Sequence, residues 1–208
     1  MKISPSRILL AGFLLLGPWL TGCAISTDKI DLAYSLRGAR DKVPGAEAVA
    51  VNLQIKDDRA VKDKVGKKMN GYGMEMGAIV SRNDVPGLVQ GAILSELDAR
   101  GFAHGDSVSV TGDLNKFWNH FTIGFFAGDS LAEISLTVTV KDHAGQILFV
   151  KTIDEEGKEP NVQVAGGHNA KPALQMALWK AIDDLFADPA FIPAILKAGG
   201  ATSPPAQK

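Results

Sequence analysis

Cys23 is the only cysteine of the chain, and it follows an apolar segment with a basic start. Lys2 and Arg7 supply the positive charge, and residues 8–20 are apolar except for two glycines and a proline. This apolar stretch of about 13 residues is typical of a secretory signal and is shorter than the ~20 residues that span a bilayer. The sequence therefore predicts an export signal over residues 1–22, which ends beside a thiol whose thiolate form is a strong nucleophile.

The four residues Leu20, Thr21, Gly22 and Cys23 resemble the lipobox of bacterial lipoproteins. The resemblance implies that signal peptidase II recognises the first three and cuts before Cys23. It also implies a diacylglyceryl group on the Cys23 thiol and an acyl chain on the new amine, with no other cofactor. The alternative is an ordinary secretory signal with a chance cysteine, although a lone unpaired thiol would be unusual in an oxidising compartment.

The anchor that this resemblance implies would decide where the protein resides. Stable membrane attachment takes about two acyl chains, which the modified Cys23 would carry. In lipoproteins of Gram-negative bacteria, Asp directly after the cysteine typically retains the protein in the inner membrane. Ala24 occupies that position here. The resemblance therefore implies attachment to the periplasmic face of the outer membrane rather than to the inner membrane.

Other residues that could do chemistry do not form a recognisable catalytic or metal-binding set. Asp57, Asp58 and Asp63 lie near Arg59 after a predicted strand, and paired carboxylates can act as acid and base. Lysines surround them, however, and a structural Asp–Arg pair that braces a loop is the competing interpretation. The four histidines lack metal-ligand spacing; they are His104, His120, His143 and His168. We therefore predict a protein that is not an enzyme and holds no metal.

Two further classes of ligand are disfavoured. Gly71, Gly73 and Gly77 are spaced almost as in a dinucleotide-binding loop, but the third glycine falls one position late and no strand directly precedes the first. The chain has 22 basic and 23 acidic residues, a net charge of −1. Removal of residues 1–22 would take away two basic residues and no acidic one. Such a balance does not predict the basic face of a nucleic-acid-binding protein.

Aromatic residues are concentrated between two predicted strands, where polar turns are the norm. Five of the 14 aromatic residues of the chain fall within ten positions, namely Phe117, Trp118, Phe121, Phe125 and Phe126. In one interpretation these rings complete the core or cover a sheet edge. In the other they form an exposed hairpin tip that binds an envelope protein or the membrane interface. We treat the five residues as a candidate interaction surface.

The surrounding elements can be predicted from hydrophobic periodicity. Residues 49–55 alternate between apolar and polar as in a half-buried strand, and residues 56–77 have the composition of a long loop. A helix is expected from its N-cap Asp84, with Pro86 in the first turn, to Arg100 and Gly101.

The second half of the chain predicts strands over residues 107–117, 133–141 and 147–153, the last two joined as a hairpin. A helix from about residue 171 to 185 and a short helix from Asp188-Pro189 to 197 follow. The order β-α-β-β-β-α-α predicts an α+β fold, a two-layer arrangement with a four-stranded mixed sheet and helices on one face.

The predicted domains follow from these elements. Residues 1–22 are the lipoprotein signal peptide, and residues 23–47 are the lipidated N-terminus and a tether, with a short helix at 30–36. Residues 48–197 form the α/β envelope domain, and residues 198–208 a disordered tail.

Several short motifs between about Val49 and Leu196 also point to a family. They are Asp57-Asp58-Arg59, Leu94-x-x-Leu97, Arg100-Gly101-Phe102, Val140-Lys141-Asp142, Asn169-Ala170-Lys171 and Asp188-Pro189-Ala190-Phe191. With these motifs the chain resembles the YajG-like bacterial lipoproteins, whose biochemical role is largely undefined. The resemblance implies an anchored, non-enzymatic envelope protein that binds another envelope protein or component, and it supplies no catalytic residues. A more distant likeness in layout is to lipoproteins that assist lipid or lipopolysaccharide transport and assembly, which is the alternative function.

Overall fold

The computed structural model describes residues 26–122, 124 and 127–201. Within these ranges, eight strands form one open mixed sheet, and three helices pack against it. The strands are β1 (Asp28–Ile30), β2 (Ala50–Asp57), β3 (Gly66–Met69), β4 (Glu75–Ser81), β5 (Ala103–His104), β6 (Val108–Phe121), β7 (Gly128–Lys141) and β8 (Ile147–Val162). The helices are α1 (Val85–Arg100), α2 (Gly167–Ala187) and α3 (Phe191–Ala198), and one 3-10 turn spans Ala46–Ala48.

Strand β6 is the centre of the sheet because three strands pair with it. β2 runs parallel to its first half, from Val51 opposite Val108 onward, and β3 continues along the same edge with Gly66 opposite Asn119. On the other edge, β7 pairs with β6 and β8 pairs with β7, both antiparallel. β4 pairs antiparallel with β3, and β1 lies parallel to β4. The short β5 pairs with β2.

The alternation predicted for residues 133–141 is confirmed in β7. The buried face of this strand lies under α2 and α3 and includes Ile134, Leu136, Val138 and Val140. The residues between them are only partly covered because they point to the other face of the sheet. One face of this part of the sheet is therefore packed against helices, and the other is open to solvent.

A β-bulge in β6 decides which aromatic residue enters the core. The register with β7 shifts between Leu114 and Lys116, so that Asn115 is the additional residue. Before the bulge, even-numbered residues face the helices; after it, odd-numbered residues do. A one-residue shift turns every later side chain to the opposite face. Phe117 is therefore buried, with 2% of its surface exposed, and Trp118 lies on the outer face.

The first helix is confirmed with its predicted ends. The Asp84 side chain accepts a hydrogen bond from the Gly87 N–H at 2.9 Å, as an N-cap residue does. Gly101 ends the helix with a positive φ of 98°. Its inner face packs on β2 through Val89, Ile93 and their neighbours.

Helix α2 begins earlier than predicted and lies unusually close to β8. Its apolar stripe is the predicted one, from Leu174 to Leu185, and it is fully buried. A β-carbon added at Gly157 of β8 would overlap the carbonyl oxygen of Ala173 and the amide nitrogen of Ala177. A glycine facing two alanines thus permits the close approach of helix and strand.

The predicted four-stranded sheet is wrong in number and order. Residues 56–77, predicted to be a loop, contain β3 and the first three residues of β4, and these two strands form a hairpin. Only Gly66 and Ile79 of these two strands are buried, so the sequence lacks the alternation that marks a strand with one buried face. The fold class, mixed α+β, is confirmed.

The predicted tether over residues 23–47 is also wrong from residue 28 onward. Residues 28–30 form a strand, the helix predicted at 30–36 does not form, and Ile30, Leu32 and Ala46 are buried. Apolar side chains in the core keep this segment on the domain. Of the predicted tail, Ala198 completes α3, and residues 202–208 lie outside the described residues.

Substitution of Gly157 by Ala should destabilise the protein by about 3 kcal/mol, at the upper end of the cost of overpacking, because the obstructing atoms are backbone. Denaturant unfolding measures this change. Gly91 on the exposed face of α1 is the matched control, since nothing lies within 4 Å of an added β-carbon there. Gly91→Ala should stabilise the protein by roughly 0.5–1 kcal/mol through helix propensity. Equal effects of the two substitutions would contradict the proposed close packing.

Candidate functional site at the anchor end

The predicted lipidation site and its flanking residues Leu20, Thr21, Gly22 and Cys23 lie outside the described residues. The first residue that the structure describes is Ser26, three residues after Cys23. The position of Ser26 therefore shows which end of the domain receives the chain from its N-terminal side.

The chain enters the fold through a set of polar contacts. Lys68 donates a hydrogen bond from Nζ to Ser26 Oγ at 3.0 Å and forms an ion pair with Asp28 Oδ1 at 2.9 Å. The other oxygen of Asp28 accepts a hydrogen bond from the Gly167 N–H at 2.8 Å. This carboxylate lies at the N-terminus of α2, where free N–H groups and the helix dipole favour negative charge. Burial opposes ionisation, but the bonds from Lys68 and Gly167 outweigh it and lower the pKa of Asp28.

Two glycines make room for this entry. Gly77 in β4 has a φ of +152°, and a β-carbon there would lie 2.5 Å from the Ser26 carbonyl oxygen. A β-carbon at Gly167 would lie 2.8 Å from the Ile30 side chain. Of the glycines at 71, 73 and 77, Gly77 thus makes room for the chain just before β1.

A second contact holds residues 34–40 against the helices. Glu96 of α1 is buried, with 1% of its surface exposed. Its carboxylate accepts hydrogen bonds from Tyr34 Oη at 2.6 Å, from Arg40 Nε at 2.7 Å and from Arg40 Nη2 at 2.8 Å. Arg100 also pairs with it. The Arg37 guanidinium lies 3.4 Å from the ring centroid of Trp179, a cation–π contact to α2.

The Glu96 cluster is structural rather than catalytic in its geometry, because every oxygen of the carboxylate is already bonded. Burial opposes ionisation, but the hydrogen bonds from Arg40, Tyr34 and Arg100 hold the pKa of Glu96 at about 2. Burial and the neighbouring carboxylate raise the pKa of Tyr34. The negative charge of Glu96 and the positive charges of Arg40 and Arg100 are therefore paired with one another beneath the N-terminal segment.

Apolar side chains are exposed at the same end of the domain as Ser26. Tyr72 and Met74, at the tip of the β3–β4 hairpin, are 90% and 57% exposed, and Val164, between β8 and α2, is 73% exposed. The two segments are connected, because the Met69 N–H donates to the Ala165 carbonyl at 3.1 Å. A cavity of about 350 Å³ opens between them and the end of β6, where Phe121 lies half-buried. We call this surface the anchor end.

The predicted aromatic surface is divided by the structure. Phe117 is a core residue, so its assignment to an exposed tip is wrong, and Phe121 packs partly against the core. Trp118 is half-buried on the outer face. Phe125 and Phe126 lie outside the described residues.

Trp118 borders another cavity, of about 250 Å³, between residues 59–61 and residues 115–118 of β6. Its lining residues are Arg59, Ala60, Val61, Asn115, Lys116, Phe117 and Trp118. Arg59 donates to both oxygens of Asp57 at 2.8 and 2.9 Å, which confirms the predicted structural Asp–Arg pair. The remaining terminal nitrogen of Arg59, Nη1, is buried without a hydrogen-bond partner among the described residues.

No group of three metal-ligating side chains occurs among the residues that the structure describes. His104 lies 2.8 Å from Asp98, and His120 lies 3.8 Å from Glu133. Each of these histidines thus faces a single carboxylate. None of the described helices is long and apolar enough to cross a membrane.

Sequence reasoning missed the anchor end because its members are far apart in the chain. A tyrosine between two glycines at 71 and 73, followed by the apolar residues 76–80, was the available signal for a hairpin tip. Nothing local connects this tip with Asp28 or Val164.

A mixed α+β domain that follows a signal-like segment with a single cysteine fits the class of bacterial lipoproteins. The family model described as "Uncharacterized lipoprotein" matches residues 39–195, and the chain belongs to this lipoprotein family. A search of curated proteins gave no match.

Crystal structures of other bacterial proteins are similar at low sequence identity. Protein XCC0632 from Xanthomonas campestris is 11% identical, with a TM-score of 0.59 over 83% of this chain and 99% of that one. A candidate lipoprotein from Caulobacter crescentus CB15 is 11% identical, with a TM-score of 0.40 over 69% and 90% of the two chains. A minor lipoprotein from Acinetobacter baumannii is 12% identical, with a TM-score of 0.34 over 70% and 98%. Of the three, the Xanthomonas structure alone supports a shared fold.

The pKa of Glu96 predicts acid sensitivity. Above its ordinary value of 4.5, Glu96 is ionised in the folded and the unfolded chain, and its full contribution is present. As the pH falls from about 4.5 to about 2, the unfolded chain binds a proton first, so about 3 kcal/mol of the free energy of unfolding is lost. Unfolding measured as a function of pH should show this loss.

Glu96→Gln should remove most of that acid-dependent loss and should destabilise the protein at pH 7 by about 3 kcal/mol, because two arginines lose their counter-charge. Glu75→Gln, at an exposed carboxylate paired with Lys67, is the matched control and should have little effect. Identical acid unfolding of the wild type and Glu96→Gln would disprove the role assigned to this cluster.

Proposed function

We propose that this lipoprotein is exported by residues 1–22, cleaved after Gly22 and anchored through acyl chains on Cys23 to the periplasmic face of the outer membrane. The family match and the lipobox-like residues support this proposal. Ala24 favours the outer membrane over the inner one. We further propose that the protein is YajG-like, and that only residues 24 and 25 lie between the anchor and Ser26, the first residue held against the domain.

The proposed protein is not an enzyme and uses no cofactor beyond its acyl chains. This part of the proposal is supported by how the described charged groups are used. Asp28, Asp57 and Glu96 each bind a cation or a backbone N–H that holds a segment in place. Structural ion pairs shift pKa values just as active sites do. The lowered pKa values of these three carboxyl groups are therefore explained by their structural contacts.

Cys23→Ser should abolish incorporation of radiolabelled palmitate and should release the protein from the membrane fraction, because the hydroxyl does not replace the thiolate in thioether formation. Ala24→Asp is the matched sorting variant: it should retain palmitate and move the protein from outer-membrane to inner-membrane fractions. Labelling of Cys23→Ser at the wild-type level would refute the proposed anchor. Unchanged sorting of Ala24→Asp would refute the proposed role of Ala24.

We also propose that the protein binds another envelope protein on the outer face around Trp118. The observation that carries this proposal is the combination of a half-buried tryptophan, the partly exposed Val61 and an unpartnered buried nitrogen on Arg59. A buried donor without an acceptor costs about 1–3 kcal/mol. A partner side chain that places an oxygen near Arg59 and apolar atoms near Trp118 would recover that energy while covering apolar surface.

A photocrosslinking amino acid at position 61, beside Trp118, should give a discrete protein adduct in living cells. The same residue at Thr152, exposed on the outer face of β8, is the matched control and should give none. Trp118→Ala should reduce the adduct from position 61 roughly tenfold, as expected for loss of an aromatic anchor worth more than 1 kcal/mol. Equal adducts from positions 61 and 152 would argue against this surface.

The alternative function, assistance to lipid or lipopolysaccharide transport, is kept because the 350 Å³ cavity opens at the anchor end beside Phe121 and Val162. This alternative predicts that the purified protein contains bound lipid in addition to its own covalent acyl chains. Extraction and mass spectrometry of that lipid distinguishes it from the binding of a protein alone.

A further inference from the structure

The distance from the anchor to the domain is short. Ser26 is fixed to Lys68, and its carbonyl oxygen lies against Gly77. Three residues of extended chain span at most about 11 Å, so Cys23 lies no farther than that from Ser26. If Cys23 is acylated, as proposed above and on which this inference rests, Ser26 is held within about 11 Å of the lipid headgroups.

The part of the surface held there is apolar at its tips. Tyr72, Met74 and Val164 project from two segments that are hydrogen-bonded to one another through Met69 and Ala165. The nearby hairpin charges are already paired, Lys67 with Glu75 and Lys68 with Asp28. The main electrostatic cost of contact with lipid is the dehydration of an unpaired charge. Because these carboxylates are paired with lysines, the hairpin avoids that cost.

The chemistry of these tips suits a membrane interface. Tyrosine has an apolar ring and a polar hydroxyl, and side chains of this kind settle at the level of the headgroups. Methionine and valine add apolar area without charge. Large exposed apolar side chains grouped on one surface mark a contact site. The short linker to Cys23 would place the anchor end against the bilayer.

We propose that the anchor end is a second, noncovalent membrane contact, in which Tyr72, Met74 and Val164 insert into the headgroup region of the leaflet that carries the acyl chains. The hairpin tip and the acylated Cys23 together hold the domain at two points. β8 then ends at the side of the domain that faces the membrane, and its first residue, Ile147, lies about 50 Å along the strand from Val162. The domain stands in a fixed orientation instead of swinging on a tether.

The chain is suited to a direct test because it has a single cysteine, which acylation blocks. The acylated full-length protein, carrying Tyr72→Cys or Val164→Cys with an environment-sensitive fluorophore, is reconstituted into phosphatidylethanolamine–phosphatidylglycerol vesicles. Ile147→Cys, at a 55% exposed apolar position at the far end of β8, is the matched control. Thermal unfolding of each labelled protein checks that the fold is retained.

A quencher attached to lipid should reduce the fluorescence at positions 72 and 164 roughly threefold more than at 147, because only the first two lie at the depth of the headgroups. If the protein is acylated but the fluorescence at position 72 is quenched no more than that at position 147, this inference is overturned while the proposed anchor stands. Absence of acyl chains on Cys23, measured by mass spectrometry of the same sample, overturns the proposed anchor and this inference with it. Shielding of position 72 in native membranes but not in protein-free vesicles would identify a protein occupant and also overturn it.

Discussion

The carboxylate of Asp28 joins three parts of the molecule that are distant in the sequence. It binds the Lys68 ammonium in β3 and the N-terminal N–H of α2 while its own backbone pairs β1 with β4. A carboxylate at a helix N-terminus gains from the helix dipole and from the free N–H group at once. This contact fixes the point where the chain enters the fold, and the distance between the proposed anchor and the domain depends on it.

The Glu96 cluster also attaches the N-terminal segment to the domain, through contacts with α1. Residues 31–43 cross the helices without forming a helix or strand of their own, and such a segment would detach readily if it were held by apolar contacts alone. The buried carboxylate binds Tyr34 and Arg40, and the loss of both contacts would leave it with Arg100 as its counter-charge. The N-terminal segment is therefore part of the folded domain, and the proposed anchor would be coupled to that domain directly.

The sequence was sufficient where the determinant of structure is local. The alternation of β7, the N-cap Asp84 and the C-terminal Gly101 act within a few residues, and each was predicted. It was insufficient where distant residues decide. Glu96 acts on Tyr34 and Arg40 across 62 and 56 positions, so a segment that looks like a linker is packed. The bulge at Asn115 exchanges the faces of Phe117 and Trp118, and no local pattern marks it. The lipobox-like residues needed no fold to be recognised, whereas the anchor end exists only once β1, β3 and α2 have met.

The position of Trp118 along β6 connects the two proposed contacts. It lies three residues before Phe121, the last residue of β6, and thus about 10 Å along the strand from the end that the proposed orientation places at the membrane. A partner seated on Trp118 and Arg59 would then have to approach along the membrane surface. Such a partner is itself confined to the membrane or its immediate vicinity. Confinement of both proteins to one surface raises their effective concentration, as linking two modules does. A cavity as small as that beside Arg59 can therefore suffice for association in the envelope even where its affinity in solution is low.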